Sequence, residues 1–219
     1  TGDGTFTYQW QESTNGVNYT DIVGANGETY APGALTQDTW YKRIVTASES
    51  GTDCIVENTP VKITVINFLP GSIASDQTIC EGDTPNPLTA INPNGDGTFT
   101  YQWQSSTDGS NFSNITGETG ATYSPPALTQ DTWYKRIVTA SLNGTDCTDE
   151  TNAVRITVNN FDPGIIDADQ TICEGGTPAG ITTTIPASGD GAFTYQWLQS
   201  TDGTNFSTVS GATTDAYNP

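Results

Sequence analysis

The chain of 219 residues contains no histidine and no methionine, and only six basic residues stand against 25 acidic ones. Each shortage removes a class of function. Without histidine, the commonest general base and transition-metal ligand is missing. A net charge of −19 repels nucleic acid and anionic membrane surfaces, so neither is an expected partner. No apolar run approaches the roughly 18 residues of a membrane-spanning helix, so no membrane insertion is expected from this segment. Cys54, Cys80, Cys147 and Cys173 form no C-x-x-C pair, which disfavours zinc and suits an oxidising, extracellular setting. No nucleophile–base pair and no glycine-rich phosphate loop stands out, so the chain reads as non-enzymatic. It shows no leader segment and no Met, and reads as a section of something longer.

What the chain does contain is repetition. Residues 34–48, ALTQDTWYKRIVTAS, recur letter for letter at 127–141. GDGTFTYQWQ begins at Gly2 and again at Gly95, and GDGAFTYQW begins at Gly189, so the period is 93 residues and then 94. DQTICEG starts at Asp76 and again at Asp169. One complete unit therefore covers 68–160. The C-terminal part of a unit precedes it at 1–67, and the N-terminal part of another follows at 161–219. Thr1 matches Asn94 and Pro219 matches Pro125. This reads as a window on a longer array, its incomplete units continued by further chain or completed by strands from neighbouring molecules.

A period near 93 is too long for a solenoid coil and suits a small β-domain. The residues agree. In FTYQW, Phe99, Tyr101 and Trp103 take one face and Thr100 and Gln102 the other; in VRITV, Val154, Ile156 and Val158 share a face. Turn signals separate such runs, among them Gly95-Asp96-Gly97, Asp108-Gly109 and Asn143-Gly144. The pattern predicts seven strands, near 73–79, 88–91, 99–105, 111–116, 121–123, 132–141 and 153–158, and no helix.

Leu128 and Tyr134 stand six residues apart, as in a tyrosine corner, and Leu35 and Tyr41 repeat the spacing. With Trp103 on the third strand, the pattern resembles the immunoglobulin and fibronectin type III superfamily, although Arg136 stands two residues after Tyr134, where antibody domains carry a cysteine. DQTICEGDTP, GDGTFTYQWQSSTDGSNF, ATYSPPALTQDTWYKRIVTAS and VRITV resemble, more closely, the Ig-like or PKD-like tandem repeats of giant surface proteins of Bacteroidetes-type bacteria. The resemblance covers essentially the whole chain. It implies an all-β chain of Ig-like or fibronectin III-like sandwiches of about 93 residues, arranged as an extended rod. It also implies secretion, display at the cell surface and an adhesive or stalk role.

In such a fold the cysteines admit more than one pairing. Cys54 and Cys80 are 26 residues apart, as are Cys147 and Cys173, so bridges across the domain junctions satisfy the arithmetic. A sandwich whose chain enters at one end argues against them. The loop holding Cys147 would lie near that end, with Cys80 close by on the first strand. The expected bridge is Cys80–Cys147, since a disulfide needs a Cα separation under about 7 Å.

Three further features were candidates for a site. The Asn92–Gly97 turn fails as a calcium loop because Trp103 stands where a bidentate Glu belongs. No cofactor is required, although calcium held by Asp76, Glu81 or Asp83 between domains stays open. If Tyr134 points inward, period-two alternation turns Trp133, Lys135 and Ile137 outward, and Trp40 occupies the matching place. Such a row is either shielded by its own Lys and nearby loops or forms a lateral contact with another chain or a surface glycan. The six cations (Lys42, Arg43, Lys62, Lys135, Arg136 and Arg155) all fall on the last two strands of a repeat. They either pair locally or dock against acidic faces of neighbouring repeats or chains. Together these features suggest a structural and adhesive array joined by short Pro-containing linkers at 67–71 and 160–164, with a carbohydrate-binding array attached to a secreted enzyme as the alternative.

Overall fold

The computed structural model describes residues 4–219, and these contain strands and loops with no helix, and so none that could span a membrane. The first repeat segment supplies β1 (Thr5–Ser13), β2 (Thr20–Asp21), β3 (Thr39–Glu49), β4 (Thr52–Glu57) and β5 (Val61–Ile63). Residues 68–160 supply β6 (Phe68–Leu69), β7 (Ser72–Ile73), β8 (Gln77–Cys80), β9 (Ala90–Ile91), β10 (Asn94–Gly95), β11 (Thr98–Ser106), β12 (Ser113–Asn114), β13 (Thr132–Leu142), β14 (Thr145–Glu150) and β15 (Val154–Asn159). The remainder supplies β16 (Phe161–Asp162), β17 (Ile165–Ile166), β18 (Thr183–Ile185), β19 (Ser188–Gly189), β20 (Leu198–Gln199) and β21 (Ser207–Thr208). The sheets stay open, and none closes into a barrel.

The described residues divide into two compact units. The first comprises 4–71, 92–101 and 137–150; the second comprises 72–91, 102–136 and 151–219. In the first unit β1 pairs antiparallel with β3 over nine residues, from Thr5↔Ser48 to Ser13↔Trp40. On its other edge β3 carries both β4 and β5. The hairpin of β13 and β14 turns at Asn143 and Gly144, both with positive φ (51° and 79°). That is the conformation a two-residue turn needs to match the twist of its strands, and Asn-Gly adopts it readily. The sequence pattern missed β14, because TDCTDE has no apolar alternation. Main-chain pairing with β13, from Ile137↔Glu150 to Leu142↔Thr145, holds it in place.

In the second unit β13 pairs antiparallel with β15, and β15 pairs parallel with β8. The single strand expected at 73–79 is broken. β7 pairs with β9, and after Asp76 the chain changes partner to β15. Asp76 marks the change, its Oδ1 accepting the Arg155 amide at 2.8 Å. The core sits between these strands. Ile73, Leu88, Trp103, Tyr123, Leu128, Tyr134, Val154, Ile156 and Val158 form one buried cluster, with Ile79 and Ile115 packed at its margin. Trp103, Tyr123 and Tyr134 meet in sequence as tilted rings with centroids 5.7 and 5.6 Å apart. Period-two alternation produced this core directly, since the residues expected on the inward faces of FTYQW and VRITV include Trp103, Val154, Ile156 and Val158.

Candidate functional site

β13 alternates as its sequence requires: Thr132, Tyr134, Arg136, Val138 and Ala140 are buried, and the residues between them are half-buried. Burial pushes the Tyr134 phenol up to about 12, with the nearby Tyr123 adding to the effect. Arg136 is fully buried, so its charge must be satisfied from inside. Its Nη1 donates to the Ala121 carbonyl at 2.7 Å and its Nη2 to the Ile91 carbonyl at 3.4 Å. The guanidinium also lies 5.9 Å from the centre of the Trp103 ring. A position that is usually apolar in such a strand thus ties three segments of the second unit together through carbonyl groups. Arg43, its counterpart, is half-buried, donates to the Glu28 carbonyl and lies over the rings of Tyr8 and Trp10.

The opposite face of β13 holds Trp133, Lys135 and Ile137, as expected, and each is half-buried. Arg155 lies over Trp133 at 5.0 Å, and Lys62 lies over Trp40 at 4.9 Å. A turn also lies against each indole. A Cβ added at Gly109 would come within 3.1 Å of Trp133, and one at Gly16 within 3.1 Å of Trp40. Lys135 lies over Phe112 at 4.5 Å, as Lys42 lies over Tyr19. Ile137 faces Glu150 across the ladder. The row is therefore a packed outer face rather than a bare aromatic platform.

The cations are engaged locally. Lys42 pairs with Glu57 at 2.8 Å, Lys62 with Asp38 at 2.5 Å and Arg155 with Asp131. Hydrogen bonds from Arg155 and from the Val158 amide hold the Asp131 carboxyl below the usual carboxylate range. Asp38 is lowered in the same way by Lys62 and the Val65 amide. Asp108 is lowered furthest, along with Asp202, because its carboxylate accepts two backbone amides and the side chain of Asn111. These acids close turns. Among the described residues no three Cys, Asp or Glu side chains converge as a metal site.

All four cysteines are free thiols in the structure, Cys80 and Cys147 of the expected bridge among them. The expectation placed Cys80 near the end where the chain enters. The parallel pairing of β8 with β15 puts it instead beside Asn159, where the chain leaves the last strand of the repeat. Cys147 faces Ala140, and Cys54 faces Ala47 in the same way.

Sequence reasoning also missed how the linkers are held. The Asp96 amide donates to the Asn67 carbonyl at 2.9 Å, and Asp96 Oδ2 accepts the Asn67 amide at 3.1 Å. Asp190 makes the same two bonds to Asn160. Beside each clamp two phenylalanines meet, Phe68 with Phe99 and Phe161 with Phe193, at centroid distances of 5.9 and 5.7 Å. Glycine is required at the contact. A Cβ at Gly95 would lie 2.3 Å from the Asn67 carbonyl oxygen, and one at Gly189 only 2.0 Å from that of Asn160. The exact repetition of GDG-x-FTYQW and of N-F-x-P-G was the available signal.

No curated protein matches the chain. One family model matches residues 1–67, 69–160 and 162–219, and the chain belongs to that family, described as a domain of unknown function (DUF8696).

Proposed function

We propose that this chain is part of a non-enzymatic, extracellular structural and adhesive array. In this reading Ig-like sandwich repeats follow one another as an extended stalk or fibre of a large bacterial surface protein. The observation that carries the proposal is the repeated linker clamp. Asn67–Asp96 and Asn160–Asp190 use the same bonds, the same phenylalanine pair and the same glycine contact. Reproducing a linker geometry is what a chain needs if added copies are to add reach and multivalency. Three successive matches to one family model support the same reading. The partners would be neighbouring repeats of the same chain, with self-association or surface glycans as adhesive targets.

The carbohydrate-binding alternative draws less support, because Trp133 and Trp40 are each covered by a cation and a turn. Small-angle scattering on chains of two, four and six whole repeats tests the proposal. The maximum dimension should rise linearly with repeat number, and growth as the cube root of mass would reject the stalk. Beads coated with the longest chain should adhere to cells or to one another, whereas uncoated beads should not.

A further inference from the structure

Two ladders fix where one cysteine of each repeat lies. Phe6 faces Ala47 between β1 and β3, and Ala47 faces Cys54 between β3 and β4. Directly opposed residues project from the same face of a sheet, so Phe6, Ala47 and Cys54 form one row. Wherever an FTYQW strand meets a TWYKRIVTAS hairpin, a TDC cysteine therefore stands two strand spacings, roughly 10 Å, from the phenylalanine.

Phe193 is that phenylalanine in the third copy, and residues 192–197 of this copy form no ladder. Phe193 lines an open pocket of about 450 Å³ together with Phe161, Asn159 and Cys80. Cys80 is brought there by its register with Asn159 and by the Glu81 amide, which donates to the Asn159 carbonyl at 3.1 Å. A TWYKRIVTAS hairpin laid on residues 192–197 in the β1–β3 register would set its TDC cysteine on the face from which Phe193 lines this pocket, two strand spacings from Phe193.

We infer that the disulfide of this protein joins successive repeats, linking the DQTIC cysteine of one repeat to the TDC cysteine of the repeat that follows. This inference rests on the array reading. Cys80 takes the TDC cysteine that completes the third repeat. By the same rule Cys54 and Cys147 take the DQTIC cysteine of the repeat before theirs, and Cys173 takes the TDC cysteine of the repeat after. With oxidised glutathione as oxidant, the Cys80 thiolate attacks one glutathione sulfur and expels a glutathione thiolate. The second cysteine thiolate attacks the mixed disulfide at the Cys80 sulfur and expels the other. Two protein thiols are oxidised, one glutathione disulfide becomes two glutathione thiols, and the protein's protons pass to the leaving thiolates.

The test uses the full chain continued after Pro219 by a second copy of residues 126–160, which completes the third repeat in sequence. Two variants separate the rival pairings: one carries Cys147→Ser in the native copy, the other carries the equivalent Ser in the added copy. Each is oxidised with glutathione disulfide, alkylated and mapped without reduction. The first variant should link Cys80 to the added cysteine, with both thiols protected from alkylation; Cys80→Ser should abolish the link. The second variant should leave Cys80 open to alkylation. A Cys80 link only in the second variant, or in neither, overturns the inference. Trp197 fluorescence reads the underlying assumption separately. If adding the segment neither shifts its emission nor creates a new unfolding transition, the array reading fails along with the bridge. If both changes appear without the link, only the bridge fails.

Discussion

β3 and β13 have the same sequence over TWYKRIVTAS, yet they are not equally buried. In β13 Tyr134, Arg136, Val138 and Ala140 are all buried, whereas in β3 only Tyr41 of the four matching residues is. Their partner strands differ more. Val154 is 2% exposed on β15, while Val61, its counterpart on β5, is 64% exposed. Trp103 is buried, but Trp10 and Trp197 are only half-covered. Strand sequence and strand pairing are common to the two regions. The difference is residues 72–91, which bring Ile73 and Leu88 onto Trp103, Tyr134 and Ile156 in the middle repeat and have no counterpart within 4–67. Pairing is thus local to the hairpin, but burial requires the second layer.

That comparison can be broken most forcefully at the tryptophans. Trp103→Ala should cost about 3–5 kcal/mol, because a large buried side chain leaves a cavity. Trp10→Ala should cost less than half as much. Urea unfolding of the two variants measures both, and equal losses would mean that the second layer contributes little. Arg136→Ala comes next. It removes a buried cation from two carbonyls and should cost about 2–3 kcal/mol, against about 1 kcal/mol for Arg43→Ala at its half-exposed site. The same titrations read this pair.

Alkaline pH gives a graded version of the contrast. The Tyr134 phenol titrates near 10 when unfolded and at about 12 when folded, so the folded state holds its proton more tightly. The stabilisation this represents is complete below pH 10 and disappears as the pH rises through 12. Tyr41 is also raised by burial. Unfolding free energy followed from pH 9 to 12 should therefore fall, and Tyr134→Phe should flatten the slope more than Tyr41→Phe does. Equal flattening would sink the distinction.

Smaller effects are expected where the regions are alike. Asp96→Ala and Asp190→Ala each remove one acceptor from a linker amide and should each cost about 1 kcal/mol locally, read as faster amide exchange at Asn67 and Asn160. Arg155→Ala should cost only about 0.5–1 kcal/mol, since an exposed ion pair and one cation–π contact are lost. It should also raise the Asp131 pKa, measurable by NMR titration, because the hydrogen bond that lowers it most disappears.

Much of this was legible beforehand. The phase of β13 follows from alternation, and a buried Arg136 follows from that phase together with Tyr134. The outward Trp133 was legible too, but its cover was not. Arg155 reaches it from a neighbouring strand, and Gly109 from a turn 24 residues earlier. The place of Cys80 was not legible for a similar reason. Whether β8 runs parallel beside β15 depends on main-chain register between segments nearly 80 residues apart, and no local pattern of DQTIC encodes it.

The sequence by itself determined the repeat, the phases of β13 and β15, the Asn-Gly turn and the inward place of Trp103, because side-chain alternation and turn chemistry act over a few residues. The tertiary structure alone decided what lies against the outward tryptophans, and that Cys80 stands beside Asn159 at the end of the last strand of its repeat. These depend on which distant segments meet, and the free energy that selects those meetings comes from the assembled core rather than from any one strand.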